Sequence, residues 1–97
     1  MIEQAITYGI GILGLQNVCL DICFDDEMDD YGEILCDDEE LQININSKLR
    51  VKAQIITIFH ELVHALQWKE RRPLCENEAY HKENLLYNDF LLTLTVK

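Results

Sequence analysis

Ile55-Ile56-Thr57-Ile58-Phe59-His60-Glu61-Leu62-Val63-His64-Ala65-Leu66-Gln67-Trp68 is the stretch on which the reading of this chain turns. Apolar residues fall on nearly every side of the helix this pattern predicts, from Val51 and Ala53 through to Trp68, which marks the helix as buried. Its main polar interruptions are His60, Glu61, His64 and Gln67. A spacing of four residues places His60 and His64 on one face, one turn apart, so that two ring nitrogens can reach the same small cation. Two imidazoles and a carboxylate are costly to bury unless they are satisfied, and a metal ion satisfies all three at once. Core histidines bonded to backbone carbonyls are the plainer alternative.

The H-E-x-x-H spacing suits zinc: two neutral ligands, an open coordination position, and in Glu61 a carboxylate able to take a proton from water. A third ligand is then required. After a break at Arg71, Arg72 and Pro73, the run Cys75-Glu76-Asn77-Glu78-Ala79-Tyr80-His81-Lys82-Glu83 predicts a second helix beginning near Leu74. A connection of about five residues turns it back against the first helix. Glu78 then sits about one turn into that helix, with Glu76 the neighbouring candidate. His81, on the same face as Glu78, is a further ligand, supporting donor or transition-state group. Gln67, seven residues after His60, shares the histidine face and is placed to orient a ligand or to cap buried carbonyls.

These residues resemble the zincin metallopeptidases, and among them the gluzincin pattern of H-E-x-x-H followed by a glutamate on the next helix. His60 to Gln67 and Glu76 to Tyr80 are similar to small bacterial and phage minimal zincins, over roughly residues 40 to 90. The resemblance implies zinc bound by His60, His64 and Glu78, with Glu61 as general base of a zinc-dependent endopeptidase acting on a peptide or protein substrate. An inactive zincin scaffold that binds a partner through its groove is the alternative. The thermolysin-like pattern has an aspartate four residues after the ligating glutamate. Here that position is Lys82, so support for a histidine must come from elsewhere, Glu83 or a backbone carbonyl. No Met-turn or third histidine follows, which excludes a metzincin.

Around this motif the chain reads as α+β: an N-terminal helix, a three-stranded antiparallel meander, the motif helix and a C-terminal glutamate helix. Ile2 to Leu15 predicts a packing helix ending near Gly14. Val18 to Phe24, Tyr31 to Cys36, and Leu41 to Asn46 predict the strands, the first and third with alternating apolar residues, separated by two acidic runs. Asn46 or Ser47 is the expected cap of the motif helix. Leu41 to Asn46, directly before that helix, is expected to be the sheet edge along which an extended peptide could lie.

The 97 residues predict one domain, 1–97, and nearly half are hydrophobic, enough for a packed globule. The net charge of −10 argues against nucleic acid as a partner, since phosphate binding relies on clustered Lys and Arg. The acidic runs, Asp25 to Asp30 and Asp37 to Glu40, are expected to be solvated turns; a calcium loop fails because Asp30 stands where glycine is needed. No apolar run is long enough for a membrane span. The absence of a basic, signal-like start predicts a cytoplasmic setting with free thiols at Cys19, Cys23, Cys36 and Cys75, expected as small buried side chains.

Overall fold

The computed structural model describes residues 1–95 and has the expected α+β architecture. Its elements are α1 (Ile2–Ile12), β1 (Leu20–Asp25), β2 (Gly32–Cys36), β3 (Leu41–Asn46), α2 (Val51–Lys69) and α3 (Glu76–Thr95). No helix among the described residues is long and apolar enough to cross a membrane.

The sheet is mixed, in the order β1-β3-β2, rather than an antiparallel meander. β3 runs antiparallel to β2 and parallel to β1, with Leu20 opposite Leu41 and Gly32 opposite Ile45. The segment between β1 and β2 passes over the end of β3. Six residues easily cross the roughly 10 Å of two strand spacings. Asn46 holds that crossing, its Nδ2 donating to the carbonyls of Met28 at 3.3 Å and Asp30 at 3.0 Å. The central place falls to the most apolar strand: Leu41, Ile43 and Ile45 are fully buried, whereas β1 and β2 have no fully buried residue.

β3 is therefore the inner strand and cannot be the peptide-binding edge. The edges are β1 and β2.

α2 lies at the centre, packed on β2 and β3 of the sheet and flanked by α1 and α3. Phe59 of α2 forms an aromatic cluster with Tyr8 of α1 and Phe90 of α3, ring centroids 6.1 and 5.9 Å away. Phe59 is completely buried, which contributes roughly 1.5–3 kcal/mol. α1 approaches α2 closely at Gly9, where an added Cβ would lie 2.6 Å from Leu62 Cδ1. The left-handed Gly14 (φ 68°) terminates α1, and the Leu15 amide bonds back to the Ile10 carbonyl.

Two local expectations are corrected. Neither Asn46 nor Ser47 caps α2, which starts at Val51 behind Arg50 without a side-chain cap. Asn46 is still in the ladder, its amide donating to the Tyr31 carbonyl, while Gln54 Nε2 ties down the carbonyls of Ser47 and Leu49. The four cysteines are free but exposed, not buried. Cys23 projects from the polar outer face with Asn44 and Glu33, and Cys36 lies in the opposite row with Leu41 at the end of its strand.

Candidate metal centre

In the middle of α2, His60 and His64 are brought together as their spacing requires, ring centroids 4.9 Å apart and planes nearly perpendicular. Both are almost completely buried, as is Glu61. The chain then reverses. Arg71 takes a left-handed conformation (φ 59°), and the amides of Arg71 and Arg72 bond back to the Trp68 and Gln67 carbonyls, closing the end of α2. α3 starts two residues later than the sequence suggests, at Glu76.

That shift decides the third donor. Glu76, in the first turn of α3, turns its Oε1 to both histidines: it lies 3.1 Å from His60 Nε2 and in close contact with His64 Nε2. One ligand atom from each of His60, His64 and Glu76 falls within 4.8 Å of the others, a group that could hold a metal ion. Tetrahedral zinc with ligands at about 2.0–2.1 Å sets neighbouring donor atoms about 3.3 Å apart, close to the 3.1 Å between Glu76 Oε1 and His60 Nε2, while the contact of Glu76 with His64 would have to open to admit the ion.

Glu78, expected as the ligand, is held elsewhere. Its carboxylate accepts hydrogen bonds from Arg72 at 2.9 Å, Lys82 at 2.7 Å and Gln67 at 2.7 Å. Those three donors lower its pKa to about 2. His81 is exposed and lies outside the group.

Hydrogen bonds behind the rings fix which nitrogen faces the centre. Gln67 Oε1 accepts from the Cys75 amide at 2.9 Å, which settles the orientation of the side-chain amide. The same oxygen lies 2.9 Å from His64 Nδ1, so Nδ1 must carry a proton and a neutral ring presents a lone pair at Nε2. Glu83 Oε1 does the same for His60 Nδ1 at 3.2 Å. Glu83 thus supplies the support that Lys82 cannot. Gln67 Nε2 completes its set by donating to the Cys75 carbonyl and to Glu78. This one fully buried side chain both orients His64 and anchors the start of α3, and with it Glu76.

The consequence is electrostatic. Two nitrogen lone pairs and a carboxylate oxygen converge on one small volume, with the donors drawn off to the far sides of the rings. Only a cation, proton or metal, reconciles them. Burial works against ionisation of Glu76, but with protons in place of a metal the hydrogen bonds donated by His64 and His60, and the charge of the protonated rings, hold its carboxyl below the usual range. Burial pushes the Glu61 carboxyl up, opposed in part by His60 and His64 when they are protonated.

A cleft of about 580 Å³ opens over this group. It is lined by Thr57, His60 and Glu61 of α2, by Glu76, Tyr80 and Glu83 of α3, and by Asp30, Tyr31 and Gly32 where β2 begins. Two phenols line the cleft, Tyr31 and Tyr80, and Tyr80 packs on His60 with centroids 4.8 Å apart; Tyr87 lies under the Lys52 ammonium. The wall from Asp30 to Gly32 was not evident from the sequence. Its one signal was a glycine opening a strand, which often marks a close backbone approach. A Cβ on Gly32 would meet Thr57 Cγ2 at 2.5 Å and Glu61 Oε2 at 3.3 Å.

Comparison with protein-family models, curated proteins and solved structures finds no match, so the chemistry of this centre is argued from its own residues.

Proposed function

We propose that this chain is a zinc-dependent endopeptidase, with His60, His64 and Glu76 holding the metal and Glu61 as general base. The observation that carries the reading is the convergence of Nε2, Nε2 and Oε1, with both Nδ1 atoms committed to acceptors. Two imidazoles and a carboxylate suit zinc better than harder cations. When bound, zinc acidifies a water and polarises the carbonyl under attack.

The chain's own groups do the rest. Glu61, beside His60 in the cleft lining and raised in pKa by burial, accepts a proton from the attacking water and delivers it to the leaving amine. Of the two phenols in the cleft, Tyr80, packed on His60, is the one placed to donate to the oxyanion. Gln67 and Glu83 keep both histidines in the tautomer that binds metal. Gly32 leaves the space above Glu61 open.

Substrate is best accommodated along β2, the strand that begins in the cleft wall. The Asn46 amide bonds to the Tyr31 carbonyl, so Tyr31, Glu33 and Leu35 face β3 with their backbone groups. By the antiparallel alternation, the amides and carbonyls of Gly32, Ile34 and Cys36 point to the free edge, ready to pair with an extended peptide. Hydrolysis of a mixed peptide library by zinc-loaded protein, lost in Glu61→Gln with zinc retained, is the expected result. Equal hydrolysis by the variant would remove Glu61 from the role of base.

A further inference from the structure

We infer that the cleft selects cationic peptide: an extended segment bearing Lys or Arg, laid along the free edge of β2. The inference rests on the peptidase reading of the same site, and it adds the chemical class of the substrate.

Three features carry it. The cleft is lined by Asp30, Glu61, Glu76 and Glu83 and by no Lys or Arg among the described residues. A divalent ion offsets only part of that charge. Next, the free edge is bracketed by acid, with Asp29 and Asp30 one residue ahead of β2, before Tyr31, and Asp37 and Asp38 directly after it. None of these four carboxylates makes an ion pair among the described residues. Five residues of strand span about 17 Å, so both ends act on a peptide of ordinary binding length. Finally, four of the chain's eight basic residues are engaged with other partners: Arg72 and Lys82 on Glu78, Lys69 on the Gly14 carbonyl, and Lys52 over Tyr87.

The two ends are not equivalent. Lys69 and Arg71 share a recess with Asp37, Asp38 and Glu39, which weakens the field at the hairpin end. At the other end Asp30 lines the cleft, which has no Lys or Arg among its lining residues. The dominant selection is therefore for a basic residue near the cleft mouth, where β2 begins. The backbone edge supplies pairing that any sequence can use; the carboxylates decide which sequence arrives and stays.

The test uses one extended peptide made in three versions, with Lys, Gln or Glu at alternate positions. Zinc-loaded protein should cleave the Lys version with kcat/KM about tenfold above the Gln version at low salt, and the Glu version most slowly. The advantage should shrink as salt rises. The Asp29→Asn/Asp30→Asn double variant should lose most of it, and Asp37→Asn/Asp38→Asn less. Binding of the three peptides to zinc-loaded Glu61→Gln is measured in parallel. If nothing is cleaved yet the Lys version binds in preference, the peptidase reading fails and the cationic selection stands. Equal behaviour of the Lys and Glu versions in both assays, or binding of neither, overturns the inference.

Discussion

Gln67→Met should damage both the fold and the metal centre, and the two losses can be separated. The replacement is close in volume, so packing changes little, but four hydrogen bonds disappear: those with His64 Nδ1, the Cys75 amide, the Cys75 carbonyl and Glu78. His64 Nδ1 is then left buried without a partner, at a cost of about 1–3 kcal/mol. The Cys75 groups lie nearer solvent and recover water in part, adding about 1 kcal/mol. A loss of roughly 2–4 kcal/mol is a large share of the stability of a domain this size. Zinc affinity should fall about 10–100-fold, because His64 loses its orienting acceptor and the start of α3 loses its anchor. Urea unfolding measures the first effect, and chelator competition under conditions where circular dichroism shows a folded chain measures the second. Gln67→Glu provides the control. It keeps an acceptor for His64 but loses the donor to Cys75 and repels Glu78, so it should lose stability while retaining zinc affinity within about tenfold. If Gln67→Met bound zinc as tightly as the parent, the positioning role assigned to Gln67 would be wrong.

Glu61→Gln should stabilise the metal-free protein at neutral pH. Burial raises the folded-state pKa of Glu61, so its ionisation opposes folding; the stabilisation should vanish below the ordinary carboxyl range, where both states are protonated. Thermal unfolding of both proteins across pH checks the sign. Glu78 behaves in the opposite way: its pKa is lowered to about 2 by Arg72, Lys82 and Gln67, so its contribution is present above the ordinary carboxyl pKa and is lost as pH falls through the folded value. Glu78→Gln should cost no more than about 1 kcal/mol at pH 6 and nothing near pH 2, as read by urea unfolding. Gly9→Val should destabilise by about 1–3 kcal/mol, because its first carbon already meets Leu62; a neutral outcome would show that α1 can move off α2.

The parts of this molecule that sequence made legible were those with a period. The all-round apolar pattern from Val51 to Trp68 located α2, the four-residue spacing located the histidine pair, and strict alternation from Leu41 to Asn46 located β3 to the residue. Strand order was not legible. The segment from Asp26 to Tyr31 is long enough either to form a meander turn or to cross over β3, and no local residue distinguishes the two. Its selection came from non-local burial, with the most apolar strand taking the centre.

The third donor shows a similar limit. Glu76 and Glu78 are both acidic residues of the first turn of α3. Which of them faces the histidines depends on a helix boundary two residues from the expected one, and on Arg72 and Lys82 capturing Glu78. Boundaries are poorly encoded by propensity, and ion-pair partners from two elements are not encoded locally at all. The supporting acceptors were half visible. Gln67 lay on the correct face, and Glu83 was suggested by the absence of an acid at position 82.

The most direct test of the account is zinc stoichiometry and affinity in the parent, Glu76→Ala and Glu78→Ala, each stripped of metal and titrated against a chromophoric chelator. The account predicts about one ion per chain in the parent, a loss of at least about 100-fold in Glu76→Ala, and an affinity within a few-fold of the parent in Glu78→Ala. A parent that binds no stoichiometric zinc would contradict it. So would an ion that survives Glu76→Ala but is lost with Glu78→Ala.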